Sequence, residues 1–402
     1  PPLAVHVSRY IKILRQKPFY PPKIFLKYNI DSSKKEVKGE RKMRNLCFFS
    51  GDITRGGGTE KVAILIANEL VKTGYYKIEF LSLVEQNEQP FYQIDERIKR
   101  YSLGQKWKNP GPGYLTYLPK LRKYLKSHQT EIIFDIDIVL DSISITSAKG
   151  ISTKVVTWEH FNCNFEISVL YRKLIAKYAV KHSDYIVTLT HRDAKCFCEK
   201  LGRKDNISSI YNPIISDDIP TQNVDKENWI VTAGRLVYQK GIEYLVEVAV
   251  PVLKQHPDWK WMVMGKGPDR TILEKVINDN HLEEQLILLG QVKDVNEYLK
   301  KAKMYVMTSR YEGLPMTLLE AKTYKLPIVS FDIDTGPDEI INDKINGFLI
   351  PPYDCNNMVE RINELIENEE LRQQFEEASV NEIDKFRLGN VIPKWIELIS
   401  KL

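Results

Sequence analysis

Short, uninterrupted apolar runs alternate along this chain with stretches of helical periodicity, and glycine-bearing turns join one to the next. Residues 229–249 (WIVTAGRLVYQKGIEYLVEVA) show the unit: an apolar β-rich run, a turn holding Arg235, Lys240 and Gly241, then an amphipathic helical pattern. Residues 259–270 (WKWMVMGKGPDR) end a strand pattern in Gly265-Lys266-Gly267-Pro268, and 286–299 (LILLGQVKDVNEYL) end one near Gly290. Further runs follow at 326–341 (LPIVSFDIDTGPDEII) and 346–352 (NGFLIPP). Such units in succession, with their glycine turns at the carboxyl ends of the strands, predict an α/β fold with a doubly wound parallel sheet, whose ligand lies at those ends.

The same grammar opens the chain. Residues 44–80 predict a strand, a loop with Gly56, Gly57, Gly58, Thr59 and Glu60, a helix carrying Val62, Leu65, Ile66 and Leu70 on one side, a Gly74 cap, and a second strand. The loop is neither G-x-G-x-x-G nor a Walker loop, because no GK[ST] follows it. Residues 154–162 predict a strand ending at Glu159 and His160, and 184–190 another, followed by a helix at 191–201. Residues 208–228 are polar and proline-punctuated, as an interdomain linker would be. The 402 residues therefore divide into Rossmann-like domains at 43–213 and 214–385, with a final helix at 386–402.

Between these runs lies EGLPMTLLE, with Glu312 before a Gly-Leu-Pro turn and Glu320 eight positions on. Proline lacks the amide proton that a first helical turn leaves unpaired, so the helix is expected to begin at Pro315. Free amides near Gly313, Leu314, Met316 and Thr317, with about half a positive charge from the aligned peptide dipoles, favour a phosphate. Eight steps place the two carboxylates about 80° apart around the axis, so they reach different parts of one ligand. A plain helix with one solvated glutamate has the same spacing.

GRLVYQKG, GKGP, the E-x7-E pair, TGPDEII and NGFL, in that order, resemble the donor-binding half of a retaining family 4 glycosyltransferase of the GT-B fold, closely over 228–352 and more loosely from Met43 onward. The resemblance implies two Rossmann-like, doubly wound parallel-sheet domains facing across a cleft, with the last helix crossing back to the first domain. It implies a nucleotide-sugar donor, most simply a UDP-hexose, with no metal or other cofactor. Arg235 and Lys240 would then hold the diphosphate together with the amides of 313–317, and Gly57 and Gly58 would approach it from the first domain. Glu320 would take the ribose hydroxyls, Glu312 the donor sugar, and His160 would line the transfer site. Gly265, Lys266, Gly267, Gln291 and Val292 would border the base. Apart from the resemblance, a solvated turn at Arg235 and Lys240, a flexible glycine loop and a structural histidine remain open.

Composition sets the surroundings. Five cysteines, odd in number and without a C-x-x-C pair, argue against a disulfide framework or a zinc site and suit a reducing cytoplasm. No apolar run of about eighteen residues and no signal-like leader is visible, so spanning helices and secretion by that route are not expected. Residues 1–42 hold 11 Lys and Arg against 3 acids, which accounts for all of the formal charge of +5. Their mixture of bases with Tyr, Phe, Ile and Leu suits either contact with an anionic membrane at its inner face or a strap on the body. Nucleic acid is a poorer partner, since the basic character stops there. Asp135/Asp137 and Asp332/Asp334 match the D-x-D of metal-dependent transferases, but each follows an apolar strand, where an acid is ordinary. The resemblance implies hexosyl transfer to a glycan or lipid-linked glycan in surface polysaccharide assembly. A non-catalytic nucleotide-sugar-binding partner, or an epimerase of the same fold, is the alternative.

Overall fold

The computed structural model describes residues 43–105, 112–214 and 225–402, and the basic segment 1–42 lies outside them. The first sheet contains β1 (Arg44–Ser50), β2 (Tyr76–Val84), β3 (Lys99–Gly104), β4 (Ile132–Ile136), β5 (Lys154–Trp158), β6 (Tyr185–Thr188) and β7 (Ile207–Ser209). Every pairing is parallel, in the order β3-β2-β1-β4-β5-β6-β7. The second contains β8 (Trp229–Ala233), β9 (Lys260–Met264), β10 (Leu286–Gly290), β11 (Met304–Met307), β12 (Ile328–Phe331) and β13 (Gly347–Ile350), again all parallel, in the order β10-β9-β8-β11-β12-β13. Both sheets belong to one compact unit, residues 40–402.

Parallel strands covered by helices on both faces must be apolar on both faces, and this is why their runs are continuous rather than alternating. In β1 the residues from Leu46 to Ser50 are all buried. Phe48 stacks on Phe134 at 5.0 Å and meets Phe80 at 5.7 Å and Trp158 at 6.3 Å. The last helix, Leu388–Lys401, adds Trp395 to this cluster, 4.7 Å from Trp158 and 5.6 Å from Phe134. The Arg44 guanidinium donates to the carbonyl of Ile399 and ties the same helix to the start of β1.

Strand order reverses once in each sheet, between β1 and β4 and between β8 and β11. At such a point the connections on the two sides run in opposite directions and leave a crevice beyond the carboxyl ends. The loops after β8 and β11 are those that carry Arg235, Lys240 and Glu312.

Three strands escape the sequence pattern. β3 (KRYSLG) is a half-exposed edge strand, β7 occupies the beginning of the stretch read as linker, and β11 is only four residues long. The expectation of no disulfide is corrected: Cys163 and Cys196 are bonded, with Cα atoms 6.0 Å apart. They follow the neighbouring strands β5 and β6, whose parallel pairing brings their helices together although the residues are far apart in sequence.

Trp395→Ala should remove about 3–5 kcal/mol of packing. The expected readout is a lower thermal midpoint and faster amide hydrogen exchange throughout Leu388–Lys401. Unchanged exchange there would mean that the aromatic cluster does not hold the helix.

Candidate active site

Lys240 is positioned by backbone that few sequences tolerate. After β8 the chain passes Gly234 and a short turn, Tyr238–Lys240, and enters the helix Ile242–Gln255 through Gly241 at φ +61°. A β-carbon at Gly241 would lie 2.2 Å from the carbonyl oxygen of Thr308, the residue after β11. The Thr308 hydroxyl also donates to the carbonyls of Lys240 and Gly241. The two crevice loops are thus locked together before any side chain is considered.

Across that lock the Lys240 ammonium pairs with Glu312 at 2.5 Å. Gln239 donates to the carbonyl of Tyr311 at 3.0 Å and to the other Glu312 oxygen at 3.4 Å, and accepts from the exposed Arg235 guanidinium at 3.3 Å. Arg310 stacks on Tyr238 at 4.0 Å and pairs with Glu243. Arg235, Lys240 and the turn after Glu312 therefore form one cationic corner.

The helix after that turn starts one residue later than expected. Pro315 caps it with ψ 106°, and helical backbone runs from Met316 to Thr323. The extended ψ carries the chain past Gly336, where a β-carbon would lie 2.6 Å from both the Gly313 carbonyl and Pro315 Cδ. Leu314 and Pro315 are buried, whereas Met316 and Thr317 are half-exposed and begin the helix with amides that have no intrahelical acceptor.

The first half of the chain closes on the same turn. A β-carbon on Gly313 would stand 2.2 Å from the carbonyl of His160. The Asn162 side-chain amide donates to the Glu312 carbonyl at 3.1 Å, and Thr335 donates to the same oxygen at 2.6 Å. Phe165 stacks on Tyr311, with centroids 4.8 Å apart. His160 itself is buried against Trp158, its Nε2 lacks a hydrogen-bond partner, and burial pushes its pKa down to about 3. At neutral pH it is an uncharged imidazole, able to hydrogen-bond a hydroxyl but not to supply a proton. Its neighbour Glu159 turns the backbone instead, accepting from the Phe161 amide at 2.7 Å.

Glu320 faces a different partner. Lys61, on the helix Gly58–Lys72 capped by Gly57, reaches it at 2.7 Å. The helix that begins at the glycine loop thus reaches Glu320, while the His160 carbonyl lies against Gly313. Gly265 and Gly267 lie flat on the Arg235 loop, where β-carbons would come within 1.8 Å of the Gly234 carbonyl and 1.9 Å of the Leu236 carbonyl, and Lys266 accepts from the Leu236 amide. Gln291 and Val292 follow β10 at the edge of this row, the first exposed and the second half-buried.

Several contributors were not visible in the sequence: Lys61, Asn162, Gln239 and Thr335, which act across long separations, and Lys322. The Lys322 side chain is buried on the helix of Glu320 and donates to the Ile340 carbonyl, with burial bringing its pKa down to about 8. Three of the four D-x-D carboxylates meet protein groups, and Asp334 is exposed. Asp137 and Asp332 pair with Arg172 and Arg192, and Asp135 accepts from Ser144.

Two parallel sheets, each reversing once, with a cationic corner and a helix end at the crevice of the second and loops of the first closing over it, make the GT-B architecture. Residues 216–381 match the family described as glycosyl transferases group 1. A Haemophilus influenzae protein described as an uncharacterized glycosyltransferase is 31% identical over 355 residues, covering 88% of this chain and 99% of its own. The chain belongs to the group 1 glycosyl transferases. The amylovoran biosynthesis glycosyltransferase AmsD of Erwinia amylovora is 27% identical over 364 residues, covering 89% of this chain and all of the relative. Among solved structures, Anabaena HepE in complex with UDP and glucose superimposes with a TM-score of 0.76 at 16% identity, covering 90% of this chain and 100% of that one.

Behind the first-sheet loops lies a buried acid pair. Burial pushes Asp135 up to about 7, and burial together with the Asp135 charge holds Asp141 well above its ordinary value. A carboxyl raised in the fold from about 4 stabilises most below that pH, and its contribution is lost as pH rises toward 7. The thermal midpoint of Asp135→Asn, measured against the parent protein, should therefore move in the variant's favour between pH 5 and pH 8. A gap independent of pH would show that burial does not raise the Asp135 carboxyl.

Proposed function

We propose that this protein transfers a hexose from a UDP-sugar to a glycan or lipid-linked glycan, with retention of anomeric configuration and without a divalent metal, in the assembly of a surface polysaccharide or related glycoconjugate. The observation that carries the proposal is the convergence of Arg235, Lys240 and the free amides of Met316 and Thr317 at the strand-order reversal of the second sheet. The named roles of AmsD and the UDP and glucose bound by HepE support the choice of pathway and donor.

Breaking the bond between the anomeric carbon and the phosphate oxygen leaves negative charge on the diphosphate. Donors fixed around that charge lower the barrier because they need no reorganisation as it develops. Arg235 offers a planar fork, Lys240 a compact ammonium, and the helix end its amides. Glu312, already oriented by Lys240 and Gln239, accepts from donor-sugar hydroxyls. Glu320 exchanges its contact with Lys61 for the ribose hydroxyls. The neutral His160 imidazole hydrogen-bonds a sugar hydroxyl beside the reacting carbon. The acceptor oxygen attacks from the face the phosphate leaves, and the departing phosphate oxygen takes its proton. No protein nucleophile enters this scheme, so the carboxylates bind and orient.

The decisive experiment is a donor screen by mass spectrometry against a panel of lipid-linked and free glycan acceptors, where donor hydrolysis without a glycosylated product would refute transfer. Arg235→Ala and Glu320→Ala should each weaken UDP binding about 10- to 100-fold by calorimetry, as loss of a hydrogen bond to a charged group implies. Unchanged affinity in both would refute the site. Glu312→Ala should lower kcat by a larger factor than it weakens UDP binding, and the reverse pattern would remove it from the sugar subsite.

A further inference from the structure

A disulfide locks a fold when both sulfurs are sealed inside it, and exchanges when an incoming thiolate can reach one of them. Cys163 opens the short helix Cys163–Ser168 and is fully buried, whereas Cys196, its partner in the helix His191–Leu201, is half-buried. Free thiols coexist with the bond: Cys198, two residues along, is exposed, and Cys47 and Cys355 are buried. The two helices are also held side by side without it. The Cys163 amide donates to the Asp193 carboxylate at 2.6 Å, and the Lys200 ammonium donates to the Asn164 side chain at 2.5 Å. If the bond opened, these contacts would keep the cysteines close enough to pair again.

Each of the two helices touches the second half of the chain at a different place. Asn162, immediately before Cys163, caps its helix by accepting from the Phe165 amide at 2.8 Å and gives its own side-chain amide to the Glu312 carbonyl, while Phe165 stacks on Tyr311. The helix of Cys196 begins with His191, whose amide donates to Glu339 at 2.7 Å, and with Arg192, which pairs with Asp332 at 3.1 Å and Asp338 at 2.8 Å. The bond therefore cross-links, inside the first domain, two of the points at which that domain meets the second. Without it, each point depends on polar links that are individually weak in water. Opening it also displaces atoms, because two thiol sulfurs cannot stay at bonding distance. The buried sulfur belongs to the residue after Asn162, so the displacement is felt where Asn162 meets Glu312.

We propose that Cys163–Cys196 is a thiol-exchange site, opened by a dithiol reductant and closed by the disulfide form of the same reagent, and that opening it loosens the hold of the first domain on the Glu312 turn. A reductant thiolate attacks the half-buried Cys196 sulfur, the bond to Cys163 breaks, and the Cys163 sulfur leaves and takes a proton. The reductant's second thiol then attacks the reductant sulfur of the mixed disulfide and releases Cys196 as a thiol. Two hydrogens pass from the reductant to the two cysteines, and the reductant ends as a disulfide. A bond of this kind is compatible with the reducing surroundings that the cysteine pattern suggests, because there it reports a change of redox state instead of serving as a permanent staple. The exchange chemistry and its effect on the contact between domains stand apart from the sugar-transfer reading, and only the effect on turnover rests on it.

The test equilibrates the full chain with dithiothreitol or with its oxidised form, alkylates it with iodoacetamide in denaturant and weighs it. Three labels are expected after oxidation and five after reduction, with the protected pair mapping to Cys163 and Cys196. Five labels in both states, or protection of another pair, would overturn the proposal. Amide hydrogen exchange over 161–168 and 190–197 should quicken about tenfold or more on reduction, while that of Arg44–Ser50 stays as it was. Cys196→Ser, at the half-buried position, should show the quicker exchange in both buffers, and Cys198→Ser should respond to reduction as the parent does. Equal exchange in the oxidised and reduced parent would refute the cross-link's role. Once donor and acceptor are known, reduction should raise donor hydrolysis relative to transfer severalfold, and Cys196→Ser should abolish that dependence on redox state. A ratio indifferent to reduction, in an enzyme that does transfer sugar, would sink the functional half of the proposal. Absence of transfer in both states would count against the proposed function instead, and the exchange measurement would still decide the cross-link.

Discussion

A carboxylate drawn into the crevice of a parallel sheet needs a cation, and in this protein Lys240 meets Glu312 across the reversal of strand order. The pairing does more than neutralise a half-hidden charge. Removing one member of such a pair leaves the other uncompensated, so both loops are obliged to stay where they are. Because Gln239 and Thr308 fasten the same loops through backbone oxygens, the cationic corner is held in place without any ligand. Preorganised dipoles of this kind are what a developing negative charge exploits.

From that corner the contacts spread into the other half of the chain through a few short polar links. Asn162 and Thr335 converge on the carbonyl of Glu312. Glu339 accepts from the His191 amide at the start of the helix His191–Leu201 and from the Tyr211 hydroxyl, and Arg192 binds Asp332 and Asp338. Lys61 reaches Glu320. Most of these links are exposed or half-buried ion pairs and hydrogen bonds, individually weak in water. A joint made of several weak polar links can open without exposing a large apolar surface, which suits a cleft that must admit substrate and then exclude water.

The sheets were legible in the sequence wherever a strand is buried on both faces and ends in glycine, as with β1, β8 and β9. β3 was not, because an edge strand of mixed polarity carries no such signature. β11 was also missed, although it delivers Glu312 to the site and is no shorter than β6, β12 or β13. Within the site the sequence pointed to loops and to types of residue. Glycines at 241, 265, 267 and 313 serve as places where one backbone lies directly on another, and that requirement is what made them recognisable as turn positions. Contacts between distant segments were unreadable. Lys61 with Glu320, Asn162 with Glu312 and the Cys163–Cys196 bond depend on which strands lie side by side, and one chain offers no local pattern for that.

Gly313 gives the joint its clearance. A lone hydrogen there lets the His160 carbonyl of one lobe rest against the backbone of the other, at a spacing where a methyl group would stand 2.2 Å from that oxygen. The thickness of the seam is therefore set by the smallest side chain available, and even an alanine would act as a shim, holding the lobes ajar while leaving every ligand-facing group chemically intact. An enzyme altered in this way would keep its tools and lose its grip, leaking donor to water because the gap no longer shuts.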